Sequence, residues 1–221
     1  METNCIVCGS KKVSSICHTQ DKEGRLGRSV SWALCTRCTK TQLNPRHLST
    51  TGDLLDFPEK ANVIIHGCNT YGRWNSGIAA QMKARYPEAF AADEEALRNG
   101  RATLGDFSYA VVSTPNRVTG CVVNLYQQEA TLGLDPLTPP PPEGEPSNKN
   151  RKLDYEGFYS GITKIQQFFD DPNLVFAFPY LIGCRRAGGD WRIVHNMIST
   201  VFEDRWVFFV HPIKEEESQP L

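Results

Sequence analysis

Short apolar runs, each closed by small polar residues, alternate with stretches of helical periodicity through most of the chain. Val63-Ile64-Ile65 lies between Asn62 and the group His66-Gly67-Cys68-Asn69, a pattern that predicts a strand buried on both faces. Small and polar residues follow from Thr70 to Gly77. Ile78, Ala79, Met82 and Tyr86 then return at helical spacing and predict an amphipathic helix. A second helical pattern runs from Pro87 to Asn99 and stops at Gly100. Tyr109–Val112 and Cys121–Tyr126 read as strands joined by a turn over 114–120. Asp154–Phe169 sets Tyr155, Phe158, Tyr159, Ile162, Ile165 and Phe169 on one helical face, as a core stripe. Leu174–Pro179 is a further buried strand, 192–204 a helix, and Trp206–Val210 the last strand. This alternation predicts a three-layer α/β sandwich with a mixed sheet.

The remaining stretches punctuate the pattern. Leu43 to Thr51 is polar, contains Pro45 and reads as a linker, which divides the chain into units at 1–45 and 50–215. Residues 129–151 hold four consecutive prolines and many polar groups, and read as an extended loop inside the second unit. Charge is balanced, 24 Lys+Arg against 25 Asp+Glu among 221 residues. Bulk electrostatics therefore argues for neither a nucleic acid nor an anionic membrane as partner. No apolar run reaches the length of a spanning helix, and the opening METNCIVCGSKK lacks the apolar core of a signal peptide. The expectation is a soluble intracellular protein.

Cysteine placement adds a second chemistry. Cys5-Ile-Val-Cys8 and Cys35-Thr-Arg-Cys38 are two knuckles with 26 residues between them. Four thiolates gathered in two pairs suit tetrahedral Zn²⁺, and without a secretion signal metal is favoured over disulfides. Two strands, at 13–17 and 29–34, fit between the knuckles. The first unit thus reads as a zinc-ribbon-like module with a structural Zn²⁺ on Cys5, Cys8, Cys35 and Cys38. A structural or protein-contact role suits it better than nucleic-acid binding, since no stripe of aromatic and basic residues accompanies it.

Two loops rich in glycine follow buried strands, 70–77 and 180–191. A strand, a glycine loop and a helix N-terminus together aim backbone N–H groups at an anion, and phosphate is the natural guest. An ordinary strand-to-helix turn has the same outline. The residues themselves go further. Gly52-Asp53-Leu54, then a strand ending in His66-Gly-Cys-Asn69, then NSGIAAQMKARYP over 75–87, resemble the macrodomain family, which binds ADP-ribose. The likeness is to its ADP-ribose 1″-phosphate phosphatases and deacylating ADP-ribosyl hydrolases, over residues 50–213.

The resemblance implies a three-layer α/β/α macrodomain preceded by the zinc-ribbon-like module. It implies that Asp53 accepts a hydrogen bond from the adenine amino group, with Leu54 beside it. Gly77 and Ile78 on the first loop, and Ile182, Gly183, Cys184, Gly188 and Gly189 on the second, would line the ligand. Asn69 would face the distal ribose. His66 would act as acid, base or nucleophile toward a 1″-phosphate, assisted by Asp190; a core histidine bonded inside the fold is the other reading of that residue. The hydrolase branch also uses a lysine where this chain has Gln127 and Gln128, which disfavours a lysine-dependent mechanism. Arg185-Arg186 departs from the family pattern, either gripping a further phosphate or lining the rim. The expected partners are ADP-ribose or a derivative and an ADP-ribosylated protein; no organic cofactor is expected. A non-catalytic ADP-ribose reader is the alternative.

Overall fold

Five of the apolar runs pair with one polar segment into a single sheet. In the computed structural model of the chain, the described residues are 44, 46–56, 61–113, 119–129 and 153–213, with the backbone of 15–18, 31–34 and 57–59. The strands are β1 (Ser15–His18), β2 (Ser31–Leu34), β3 (His47–Thr51), β4 (Val63–Asn69), β5 (Phe107–Ser113), β6 (Thr119–Gln128), β7 (Val175–Pro179) and β8 (Trp206–His211). The helices are α1 (Gly77–Arg85), α2 (Pro87–Arg98), α3 (Tyr155–Phe168) and α4 (Trp191–Val201), with a 3₁₀ turn at Leu54–Glu59.

The sheet runs in the order β3-β8-β7-β4-β6-β5. All neighbours are parallel except β5, which pairs antiparallel with β6. The sheet is therefore mixed, with four parallel central strands that are apolar on both sides, as parallel sheets require. On β4, Ile64 and Cys68 join the core layer that holds Met82, Tyr86 and Ala89 of the α1–α2 side. Val63 and Ile65 join the opposite layer with Phe158, Ile162, Val194 and Ile198 of α3 and α4. Strand alternation divides one sheet between two helical layers.

Two expectations change. The stretch read as a polar linker is strand β3: Leu48 is fully buried and pairs in parallel register with Phe208. Its polar residues are held by bonds that periodicity does not reveal. His47 Nε2 bonds the Phe202 carbonyl at 2.9 Å, Asn44 Nδ2 donates to Glu203 O and Arg46 Nη1 to Asp204 O. The sandwich therefore begins ahead of residue 50. The second change is on α3, where Phe158, Ile162 and Ile165 form the buried stripe but Tyr159 is exposed. Gly157 and Gly161 occupy the buried positions instead, where α3 crosses Leu104, Gly105 and Leu125.

Near the N-terminus β1 and β2 pair antiparallel, Ser15 opposite Leu34 and His18 opposite Ser31. Cys5, Cys8, Cys35 and Cys38, the turn at 114–118 and the proline-rich stretch over 130–152 lie outside the described residues.

Candidate ligand cleft

The carboxyl ends of β7, β4 and β6 open into a cleft of about 820 Å³, flanked by the residues after β3 and β8. Strand carboxyl ends are where open α/β sheets place ligands, and the volume suits a nucleotide-sized molecule. Asp53 and Leu54 line one end; Asn69, Gly77 and Ile78 contribute from the first loop, Ile182 and Gly183 from the second.

The first loop starts with Asn69, whose side chain organises its own turn. Oδ1 accepts from Tyr71 N (2.9 Å) and Arg73 N (3.2 Å), and Nδ2 donates to Arg73 O. Helix α1 begins at Gly77, where φ is +63°, a conformation that costs glycine nothing and other residues a clash. Its N-cap Ser76 makes no side-chain capping bond, and Gly77, Ile78 and Ala79 line the cleft. The first-turn N–H groups thus lack a side-chain acceptor at the place where the helix field favours an anion. From the second loop the Arg186 guanidinium reaches toward this point, 3.8 Å from where a β-carbon on Gly77 would sit.

The second loop is tied down by backbone bonds: Tyr180 N to Val210 O, Cys184 N to Leu181 O, Gly189 N to Gly183 O. Leu181 lines the cleft with φ of +63°. A leucine in the left-handed region is strained, and such strain clusters at ligand sites. Ile182 is the loop's core anchor, 4 % exposed.

Several expected residues stand elsewhere. His66 does not reach the cleft. Its ring is fully buried on the α1–α2 side, edge-on to Trp74 with 5.0 Å between ring centres. Nε2 donates to Asn124 Oδ1 at 2.8 Å, and Nδ1 lies 3.7 Å from the Cys68 sulfur. Burial lowers the ring's pKa from 6.5 to about 4, the Asn124 bond opposing, so His66 is neutral near pH 7 and has no path to substrate. Asn124 Nδ2 continues the network to Ala89 O and Ser108 Oγ, and Ser108 Oγ to the Tyr126 hydroxyl. Tyr126 and Trp74 Nε1 both donate to the buried Asp93, at 2.8 and 2.7 Å. This is a polar core that pins Trp74, and with it the first loop, to α2.

Asp190 caps α4 instead of facing the cleft. It accepts from Arg192 N at 2.9 Å and pairs with the Arg192 guanidinium at 2.7 Å, and these bonds hold its carboxyl below the usual range. Gly188, Gly189 and Cys184 shape the second loop from behind, without lining the cleft. The Cys184 thiol donates to Ile182 O, and burial pushes its pKa up to about 11. Cys68 does line the cleft, but burial keeps its thiol protonated. Asp53 lines the cleft and also caps the 3₁₀ turn, one carboxylate oxygen accepting from Leu55 N at 2.9 Å.

Motif reading missed Arg73, Glu129, Tyr180 and Leu181, and marked Gln127 only as the place of a lysine in the hydrolase branch; all five line the cleft. Their shared signal is position, each at or just past a strand's carboxyl end or on the loop that follows it.

The chain superposes on the macrodomain of Mycobacterium tuberculosis DarG with a TM-score of 0.57 and 22 % identity, over 76 % of this chain and 98 % of that one. The fold is that of a macrodomain. A structure of Thermosipho africanus DarTG in complex with ADP-ribose matches with a TM-score of 0.59 and 15 % identity, over 79 % of this chain and 43 % of that one. Among sequences, an ADP-ribose 1″-phosphate phosphatase of Aspergillus clavatus is 33 % identical over 113 residues, 50 % of this chain and 53 % of the relative. A DNA ADP-ribosyl glycohydrolase of Mycobacterium tuberculosis is 42 % identical over 55 residues, 25 % of this chain and 15 % of the relative. The chain spans about half or less of the length of the curated relatives it matches. No family model matches the macrodomain or any other part of the chain.

Proposed function

We propose that the macrodomain binds ADP-ribose and hydrolyses a group from its distal end, either the phosphate of ADP-ribose 1″-phosphate or an ADP-ribosyl ester. The observation that carries the reading is the pairing of two glycine loops across one cleft, with an uncapped helix N-terminus at its middle and Asp53 at one end. The diphosphate would lie between the loops, on the α1 N–H groups and under Arg186, with adenine at Asp53. The named activities of the matched relatives support the same reading.

Hydrolysis needs a group that takes a proton from water as it attacks. His66 is sealed in the core and Asp190 is ion-paired away from the cleft. Among the described residues the carboxylates lining the cleft are Asp53 and Glu129. Glu129 follows β6 at the end remote from Asp53, so it is the general base in this proposal. Purified protein should bind ADP-ribose and release phosphate or ADP-ribose from the two substrates. Glu129→Gln should lower turnover by roughly 10²-fold while affinity holds within a few-fold. A parent inactive on both substrates but binding ADP-ribose would instead make the protein a reader, a second reading favoured by the burial of His66.

The N-terminal module is proposed to hold one structural Zn²⁺ on Cys5, Cys8, Cys35 and Cys38. Support comes from the knuckle spacing and from the antiparallel pairing of β1 with β2 inside it. Metal analysis of the reduced full chain should find about one zinc per molecule, and finding none would end that proposal. The same proposal takes an ADP-ribosylated protein as the source of the ligand and the module as a protein-contact surface.

A further inference from the structure

We infer that the Gln127 carboxamide is a hydrogen-bonding contact for a hydroxyl group of the ligand's terminal sugar, an assignment that rests on reading the cleft as an ADP-ribose site. Gln127 is 4 % exposed and lines the cleft. Its Oε1 is buried without a hydrogen-bond partner, one of two such side-chain atoms among the described residues. An unpaired buried acceptor destabilises a fold, and native structures hold few of them without a reason.

The surroundings are fitted to this amide. A β-carbon on Gly67 would fall 1.9 Å from Gln127 Nε2, and one on Gly183 would fall 3.3 Å from Oε1. Two glycines, one on β4 and one on the second loop, thus leave the space that the carboxamide fills. An apolar side chain of equal length would fill it without the orphaned oxygen. The terminal amide torsion of glutamine is soft, so the oxygen can swing from Gly183 toward the cleft with the backbone unmoved.

Position names the part of the ligand. Asp53 follows β3, and Gln127 sits at the carboxyl end of β6, four strands along the sheet. At the usual strand spacing that is about 19 Å, so a ligand whose adenine meets Asp53 reaches Gln127 with its far end. In ADP-ribose that end is a ribose, whose hydroxyls are donors for a carboxamide oxygen. A site that leaves a buried acceptor unpaired when the hydroxyl is missing discriminates strongly against ligands that lack it.

The test is calorimetry with ADP-ribose and with ADP, which lacks the terminal sugar, on the parent and on Gln127→Met. ADP-ribose should bind the variant about tenfold more weakly, with ADP unchanged. Thermal unfolding of the free variant should occur at an equal or higher temperature, because the orphaned acceptor is gone. A role confined to packing or to a buried water predicts the opposite pair, unchanged ADP-ribose affinity and lower stability, and would overturn the assignment. Should the variant fail to fold, the parent itself decides through ADP-ribose analogues lacking the 2″- or the 3″-hydroxyl. One of them should lose about tenfold, and full affinity for both overturns the assignment. A parent that binds no ADP-ribose at all overturns the reading of the cleft and this contact together, whereas parent binding with an unaffected variant overturns the contact alone.

Discussion

At neutral pH the His66 ring is uncharged, because Nε2 already donates to Asn124 and a second proton would have to be held on Nδ1, in a pocket closed by Trp74 and against the Cys68 sulfur. Unfolding returns the ring to its ordinary pKa of 6.5, against about 4 in the fold. Between those values the unfolded chain takes up a proton that the folded chain refuses. The contribution to stability is therefore whole above pH 6.5 and is lost as pH falls toward 4, about 3 kcal/mol at full extent. His47, His195 and His211 are lowered by burial as well and act in the same direction, while Asp93, raised by burial, acts in the opposite one. The difference between parent and His66→Gln isolates one ring. Urea unfolding should show that difference shrinking by about 2 kcal/mol from pH 7 to pH 4.5; a constant difference would mean that the ring is not held neutral. His66 and Gln127 also mark the limit of the sequence. The motif around Asp53 and Gly77 is local and could be read directly. The burial of His66 comes from Trp74 and Asn124, and the space around Gln127 from Gly67 and Gly183, all placed by the fold.

The first loop owes its position to α2. Trp74 Nε1 and the Tyr126 hydroxyl together satisfy both oxygens of Asp93, which is fully buried. Trp74→Phe keeps the ring contact with Phe90 but leaves one carboxylate oxygen without its donor. The expected cost is about 1–3 kcal/mol of stability, with a several-fold loss of ADP-ribose affinity as the loop loosens. Chemical denaturation and calorimetry on one sample check both, and a variant matching the parent in each would detach the loop from this network. Strand β3 shows why an element escapes notice in sequence. His47-Leu-Ser-Thr-Thr51 offers a single large apolar residue, and its place in the sheet rests on pairing with β8 and on the His47 bond to Phe202 O. Periodicity registers side chains, whereas a strand at a sheet edge can be held largely by its backbone.

The extent of the macrodomain follows from that strand. A chain of residues 44–213 retains β3 and its bonds to the end of α4, and should unfold cooperatively and bind ADP-ribose like the full chain. A chain beginning at residue 52 bares the edge of β8, with its row of unpaired backbone groups and Phe208 uncovered. Such an edge promotes association between copies, so the shorter chain should aggregate or lose several degrees of thermal stability, and equal behaviour of the two would deny β3 a structural role. The same pairing has a geometric consequence for handling the molecule. β3 and β8 run in one direction, so the polypeptide joins the sheet at the end away from the cleft and leaves it at the cleft mouth, where Pro212 and Ile213 line the rim. A tether fixed ahead of residue 44 holds the molecule by its back, mouth outward, whereas one fixed after residue 213 stands in the doorway. Immobilisation through the first should leave ligand capture unhindered, and immobilisation through the second should slow it.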